Sequence, residues 1–211
     1  MRATIALIVT AAFSFVQATP EPTGAAAIKE ALLYGMAMAA PSRTAGLPPD
    51  VDRSLAAYRD CERAFEPTIA RPPDVKRLPR DSVYAKRVGV ERAVYCAFDR
   101  PAAAARAYAT DVHLLYEWEG YADSPLSEAA SADAFLKRHP DSPIAPYVHL
   151  FAGHRKLCAV GGLEGLDRAS ARARDISRDA DRQLGIARDQ GPPLVRIVAE
   201  HLLSTRRCFD R

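Results

Sequence analysis

The chain has 211 residues, 26% of them charged, and a formal net charge of +3 at pH 7. This near balance of charge argues against binding to nucleic acid or to an anionic membrane surface, since both need a strong excess of basic residues. The length suits one domain that buries a substantial core.

The first 18 residues have the pattern of a secretory signal peptide. Arg2 is followed by an apolar stretch from Ala3 to Val16, and small residues precede a cleavage site between Ala18 and Thr19. A basic start, an apolar centre and a small-residue site are typical of export signals, whereas a membrane anchor needs about 20 apolar residues. The sequence therefore predicts an exported protein, periplasmic or alternatively secreted, with no membrane span after signal removal.

The four cysteines are widely spaced, at Cys61, Cys96, Cys158 and Cys208. No pair has the C-x-x-C spacing of a zinc knuckle or a thioredoxin-type site. In an oxidising compartment an even number of cysteines favours disulfides. Four cysteines allow three pairings, and their positions alone leave all three open.

The N-terminal region, residues 19–81, holds two predicted helices and a proline-rich linker. Apolar residues at helical spacing predict helices over residues 24–40 and 50–65. Residues 66–80 contain four prolines, each of which removes a backbone donor and fixes φ. That segment is therefore predicted to be a linker or an extended surface strap.

From residue 82 onward the helical pattern is more regular, and no alternating strand pattern occurs. Pairs of helices begin near Ser82, Ser124 and Gly165, at spacings of 42 and 41 residues, close to the repeat length of helical solenoids. The fold class predicted is all-α, with stacked antiparallel helix pairs in an α-solenoid or an irregular helical bundle. Residues 82–211 would form one domain with residues 24–66. The individual helices are predicted over residues 83–98, 101–119, 124–139, 142–160, 166–188 and 194–208.

One of these pairs carries a recognisable junction, at residues 132–153. It matches A-x-x-F-L-x-x-Y/H-P-x-S-x-x-A with a later glycine, through Ala132, Phe135, Leu136, His139, Pro140, Ser142, Ala145 and Gly153. This stretch resembles the helix–turn–helix junction of tetratricopeptide-type repeats in bacterial envelope proteins. The resemblance implies a helical-hairpin stack in which Pro140 ends one helix and Ser142 caps the next. The resemblance does not assign a ligand-binding role to any residue of this chain.

The resemblance also implies a cysteine pairing. Equivalent helices of such stacks run side by side, and Cys158 and Cys208 each lie near the end of the second helix of adjacent units. They would come within the 4.4–6.8 Å Cα separation of a disulfide. Cys61 and Cys96 would then pair and join the N-terminal helices to the repeats.

Candidate functional residues are few. His113 and Glu117, four apart, could contribute to a metal site or form a surface polar pair. Trp118 and Tyr121, in a string with Tyr116, could line a groove for a partner or fill the joint between repeats. His149 and His154, five apart, diverge by roughly 140° and do not chelate one ion. His154 and Cys158 are four apart, but Cys158 is expected to be bridged.

No catalytic residue, metal or cofactor is predicted, because no G-x-S-x-G, phosphate-loop or H-E-x-x-H pattern is present. The favoured hypothesis is an exported helical-repeat protein that binds another envelope protein or a peptide without catalysis. One alternative is a small exported hydrolase with a site around His113, Glu117, Trp118 and His149. Another is a structural envelope component without a dedicated ligand.

Overall fold

A computed structural model describes residues 24–35, 46–70 and 83–209 of the chain. Over these ranges the protein is all-α, as predicted: it forms eight helices and no strand beyond an isolated bridge between Tyr121 and Glu164. The predicted signal peptide, its cleavage site at Ala18 and Thr19, and most of the proline-rich linker lie outside the described residues. The helices are α1 (Gly24–Tyr34), α2 (Pro49–Ala64), α3 (Val83–Ala97), α4 (Ala102–Asp111), α5 (Asp123–Arg138), α6 (Ala145–Val160), α7 (Ala171–Gln190) and α8 (Pro193–Thr205).

The helices pack around α6, which buries 12 of its 16 residues. Helix α6 contacts α5, α7 and α8, and α7 also contacts α8. Helices α1 and α2 contact both α3 and α8, so the N-terminal helices join the beginning and the end of the pair region. In an open solenoid each repeat contacts only its neighbours. The joining of α1 and α2 to α8 therefore favours the irregular bundle over the open solenoid.

A pair of glycines lets α1 approach α3 closely. Gly35 follows α1 with a φ of +62°, and a Cβ at this position would lie 2.6 Å from the Cα of Gly89. No side chain fits at that distance, and positive φ suits glycine. Leu33 and Tyr34 of α1 line one cavity together with Lys86 and Val90 of α3.

Helix α4 is shorter than predicted, ending at Asp111 rather than near Glu119. Side chains of other helices provide partners for the backbone beyond it: the N–H of His113 donates to Ser131 Oγ, and that of Leu115 donates to Glu128 Oε1. Lys86 donates from the opposite side to the carbonyls of Leu115 and Tyr116. These long-range partners replace helical hydrogen bonds. Residues 112–122, here called the cavity loop, are therefore non-helical.

The junction that resembles a tetratricopeptide repeat differs from its expected geometry at one point. Helix α5 ends at Arg138, in agreement with the predicted stop before Pro140. Helix α6 begins at Ala145 without a side-chain cap, and Ser142 lies in the preceding turn, where its N–H donates to the carbonyl of His139. The prediction that Ser142 caps this helix was wrong, because an added turn separates the two helices.

Both cysteine pairs implied by the resemblance are present as disulfides. Cys61 pairs with Cys96 between α2 and α3, with the Cα atoms 5.6 Å apart. Cys158 at the end of α6 pairs with Cys208 after α8, with a Cα separation of 4.8 Å. The two disulfides fit an oxidising compartment. In the ranges described, no helix is long and apolar enough to cross a membrane.

Candidate ligand-binding cavity

A cavity of about 350 Å³ opens between α1, α3, the cavity loop and residues 206–209, here called the C-terminal tail. This volume falls within the usual range of ligand pockets, which are mostly apolar with a few polar groups. The apolar part of its wall includes Leu33, Tyr34, Val90, Leu114, Trp118 and Phe209.

Arg155 of α6 forms the floor of the cavity and is only 4% exposed. Its Nε donates to Glu128 Oε2 at 2.7 Å and its Nη2 to the carbonyl of Leu33 at 3.0 Å. The guanidinium carbon also lies 5.2 Å from the centroid of the Trp118 ring and 5.3 Å from that of Tyr34. Cation–π contacts at such distances are attractive, especially away from water. The buried charge is thus compensated within the fold.

Glu128 of α5 is the anionic partner of this arginine and is 2% exposed. One carboxylate oxygen accepts from Arg155 and the other accepts from the N–H of Leu115 at 2.9 Å. A buried ion pair persists only when both charges are well hydrogen-bonded. Because one Glu128 oxygen bonds the cavity loop, the same ion pair that forms the floor also positions the loop.

His154 lies beneath the cavity, fully buried beside the second disulfide. Its Nδ1 accepts from Nη1 of Arg155 at 2.7 Å, since a guanidinium can only donate. Its Nε2 lies 3.3 Å from the carbonyl oxygen of Cys208, which can only accept, so the proton is on Nε2. Burial, and secondly the charge of Arg155, hold the pKa of His154 well below its usual value. The ring is therefore neutral.

The ligand atoms of His154, Cys158 and Cys208 all lie within 4.8 Å of one another, as in a metal site. Metals bind cysteine as the thiolate. Because the two sulfurs are bonded to each other, neither is available as a thiolate. This confirms the expectation that Cys158 is bridged.

The disulfide instead fixes the C-terminal tail. The carbonyl of Cys208 accepts from Nζ of the buried Lys29 at 2.9 Å, so α1 also holds this point. The next residue, Phe209, places its ring 6.3 Å from that of Tyr34 and 6.1 Å from that of Trp118. The tail thereby supplies one wall of the cavity.

The mouth of the cavity is aromatic and exposed. Within the described ranges the exposed large hydrophobic side chains are Tyr116 (51%), Tyr121 (51%) and Phe209 (45%). Tyr116 and Phe209 line the cavity, and Tyr121 follows Gly120, which also lines it. Large exposed apolar side chains beside a cavity are typical of binding sites. All three residues belong to this one region of the molecule.

The structure brings together only part of the residue set predicted from the sequence. Tyr116, Glu117 and Trp118 line the cavity, as a groove hypothesis requires, and Tyr121 adjoins it. His113 is exposed and its backbone is directed to Ser131 of α5, while the ring of His149 bonds Gln183 of α7. The convergence of His113, Glu117, Trp118 and His149 expected for a hydrolase therefore does not occur. It fails because α4 ends early and α6 turns His149 toward α7.

Sequence reasoning missed Tyr34, Glu128, Arg155 and Phe209. A signal existed for one of them, since Arg155 and Lys156 interrupt an otherwise apolar helix. A charge in such a position needs a partner inside the protein. The other three carry no local pattern, because their role depends on helices distant in sequence.

Comparison of the chain with protein-family models, with curated proteins and with solved structures finds no match.

Proposed function

We propose that this protein is an exported binding protein, periplasmic or secreted, that holds an extended segment of another protein or a peptide at the cavity. The observation that carries the proposal is that two of the exposed aromatic side chains, Tyr116 and Phe209, line one apolar cavity, while a third, Tyr121, directly follows the lining residue Gly120. The predicted signal peptide and the two disulfides support the compartment. The resemblance to envelope tetratricopeptide proteins agrees with a binding role.

The chemistry of the cavity supports binding rather than catalysis. Arg155 and Glu128 neutralise each other and are hydrogen-bonded within the fold. Lys86 donates to two carbonyls of the cavity loop. What remains open to a ligand in the inner cavity is mostly apolar wall, which suits a leucine-sized or phenylalanine-sized side chain.

The exposed aromatic Tyr121 lies outside the cavity lining but next in sequence to the lining residue Gly120, which supports a polymer over a single small molecule. Aromatic residues are enriched at protein interfaces, where a few buried anchors carry most of the binding energy. One apolar side chain of the partner would enter the cavity, and its neighbours would contact Tyr116 and Phe209. The C-terminal tail and the cavity loop would hold the segment from two sides.

The proposal is tested by selecting nonapeptides from a random displayed library on the disulfide-bonded protein. Selected peptides should bind the Tyr116→Ser and Phe209→Ser variants at least about 10-fold more weakly, a loss of roughly 1.4 kcal/mol. His139→Ser is the matched control, because it removes an exposed ring at a different hollow of the surface. Failure to enrich any peptide, or equal affinity for wild type and both cavity variants, would overturn the proposal and favour a structural role.

A further inference from the structure

Two carboxylates at the mouth of the cavity have no partner within the described part of the chain. Glu117 and Glu119 flank Trp118 in the cavity loop, and both are exposed. The other charged groups that line the cavity are Lys86, Glu128 and Arg155, and each already has a partner in the fold. Lys86 keeps its charge, but the described lining sets three carboxylates against two cations, so the net charge that a ligand meets at this mouth is negative.

These carboxylates alternate in sequence with aromatic residues that line the same cavity. Trp118 lies between them in sequence, and Tyr116 precedes Glu117 with its side chain 51% exposed. The face of an aromatic ring attracts a cation, and the stems of lysine and arginine pack well on apolar surface while the charged head stays near water. A ring with a carboxylate nearby is thus suited to a basic side chain.

We infer that the segment bound at the cavity carries an apolar residue flanked by lysine or arginine. This inference rests on the proposed function and specifies its ligand: the apolar residue enters the cavity, and basic neighbours lie over Trp118 and Tyr116 against Glu117 and Glu119. Electrostatic complementarity of this kind gives selectivity for partners more than raw affinity. The preference for basic flanking residues arises from exposed carboxylates at the mouth of the cavity. It should therefore weaken as salt screens these charges.

The test uses three capped, tryptophan-free nonapeptides with the same centre of leucine, phenylalanine and leucine. Three lysines, three glutamines or three glutamates stand on each side. Calorimetry at about 20 mM ionic strength should give the lysine peptide at least about 10-fold higher affinity than the glutamine peptide, with the glutamate peptide weakest. At roughly 0.5 M salt, where the Debye length falls to a few ångströms, the three affinities should converge.

Replacing the two carboxylates by neutral amides tests whether they cause the preference for basic flanking residues. The double variant Glu117→Gln, Glu119→Gln should lose most of the advantage that the lysine peptide has over the glutamine peptide, measured as the ratio of the two affinities on the same variant. The matched control is Glu66→Gln with Glu200→Gln, two exposed carboxylates outside the cavity lining, which should leave the preference unchanged.

The outcomes separate this inference from the proposed function. If the three peptides bind equally, or if the double variant keeps the full preference, the basic-flank inference is wrong while the cavity remains a peptide site. If none of the three peptides binds and library selection also fails, the proposed function falls, and this inference with it.

Discussion

Nη1 of Arg155 donates a 2.7 Å hydrogen bond to Nδ1 of His154, its neighbour in sequence. Successive residues of a helix diverge by about 100°, so such a bond requires the guanidinium to fold back across the helix. The bond leaves His154 neutral with its proton on Nε2. It also links the floor of the cavity to the point where the Cys158–Cys208 disulfide and Lys29 hold the C-terminal tail.

The buried neutral histidine predicts a pH dependence of stability. Because its pKa is lowered in the folded protein, His154 binds a proton in the unfolded chain below about pH 6.5 but not in the native state. His154 should therefore contribute a fall in the free energy of unfolding that approaches about 1.4 kcal/mol per pH unit below pH 6.5, until the native pKa is reached. Urea denaturation from pH 7.5 to pH 4.5 measures this slope. In the His154→Gln variant the free energy of unfolding should depend less steeply on pH, by the contribution of one proton. The exposed-site variant His113→Gln should keep the wild-type slope. Equal slopes for His154→Gln and wild type would contradict a buried neutral His154.

The Arg155–Glu128 pair predicts a large and non-additive loss of stability. Arg155→Met leaves Glu128 buried with an uncompensated charge, which should cost about 3–5 kcal/mol. Adding Glu128→Gln removes that charge, so the double variant should be more stable than Arg155→Met alone. Denaturant unfolding of the wild type, both single variants and the double variant gives the coupling energy. If the stability losses of the two single variants simply sum to that of the double variant, the two side chains do not stabilise each other.

The two disulfides predict different consequences for binding. They close loops spanning sequence separations of 35 and 50 residues, so loop entropy gives each a stabilisation of about 4 kcal/mol. Replacing Cys158 and Cys208 by serine should also weaken peptide binding, because Phe209 is no longer held beside Tyr34 and Trp118. The matched Cys61→Ser, Cys96→Ser variant should lose similar stability but keep binding. Identical binding by both disulfide variants would show that the tail is not part of the site.

Replacing Gly153 by alanine should destabilise the protein, although alanine normally favours a helix. A Cβ there would lie 2.8 Å from Leu184 Cγ and 3.2 Å from the carbonyl oxygen of Ala180, because α6 and α7 approach closely. Gly153→Ala should therefore destabilise the protein by about 1–3 kcal/mol through overpacking. Gly185 in α7 is the matched control, since its Cβ would meet nothing within 4 Å. Gly185→Ala should stabilise by up to about 1 kcal/mol. Thermal unfolding should give a lower midpoint than wild type for Gly153→Ala and an equal or higher midpoint for Gly185→Ala.

The sequence was sufficient where structure depends on local signals. The bounds of α2, α3 and α5 agree with the predicted helices within one or two residues, because prolines and apolar periodicity mark them. The disulfide pairing also agrees, but it was implied by the resemblance to stacked helix pairs and not by a local signal.

The cavity could not be predicted because its geometry depends on partners distant in sequence. Helical periodicity continues past Asp111 through Val112 and Leu115, yet Glu128 and Lys86 bind the backbone there and keep it non-helical. On a helix the side chains of Glu117 and Glu119 would point about 200° apart. In the non-helical cavity loop both line the same mouth.

Trp118, the only tryptophan of the chain, lines the cavity, so its fluorescence reports directly on whether a peptide binds there. A selected tryptophan-free peptide is titrated into the protein while tryptophan emission and heat of binding are recorded in parallel. Binding at the cavity predicts a saturable change in the emission of Trp118, with the same midpoint as the calorimetric curve. Calorimetric binding with unchanged emission would place the peptide elsewhere and contradict the proposed site.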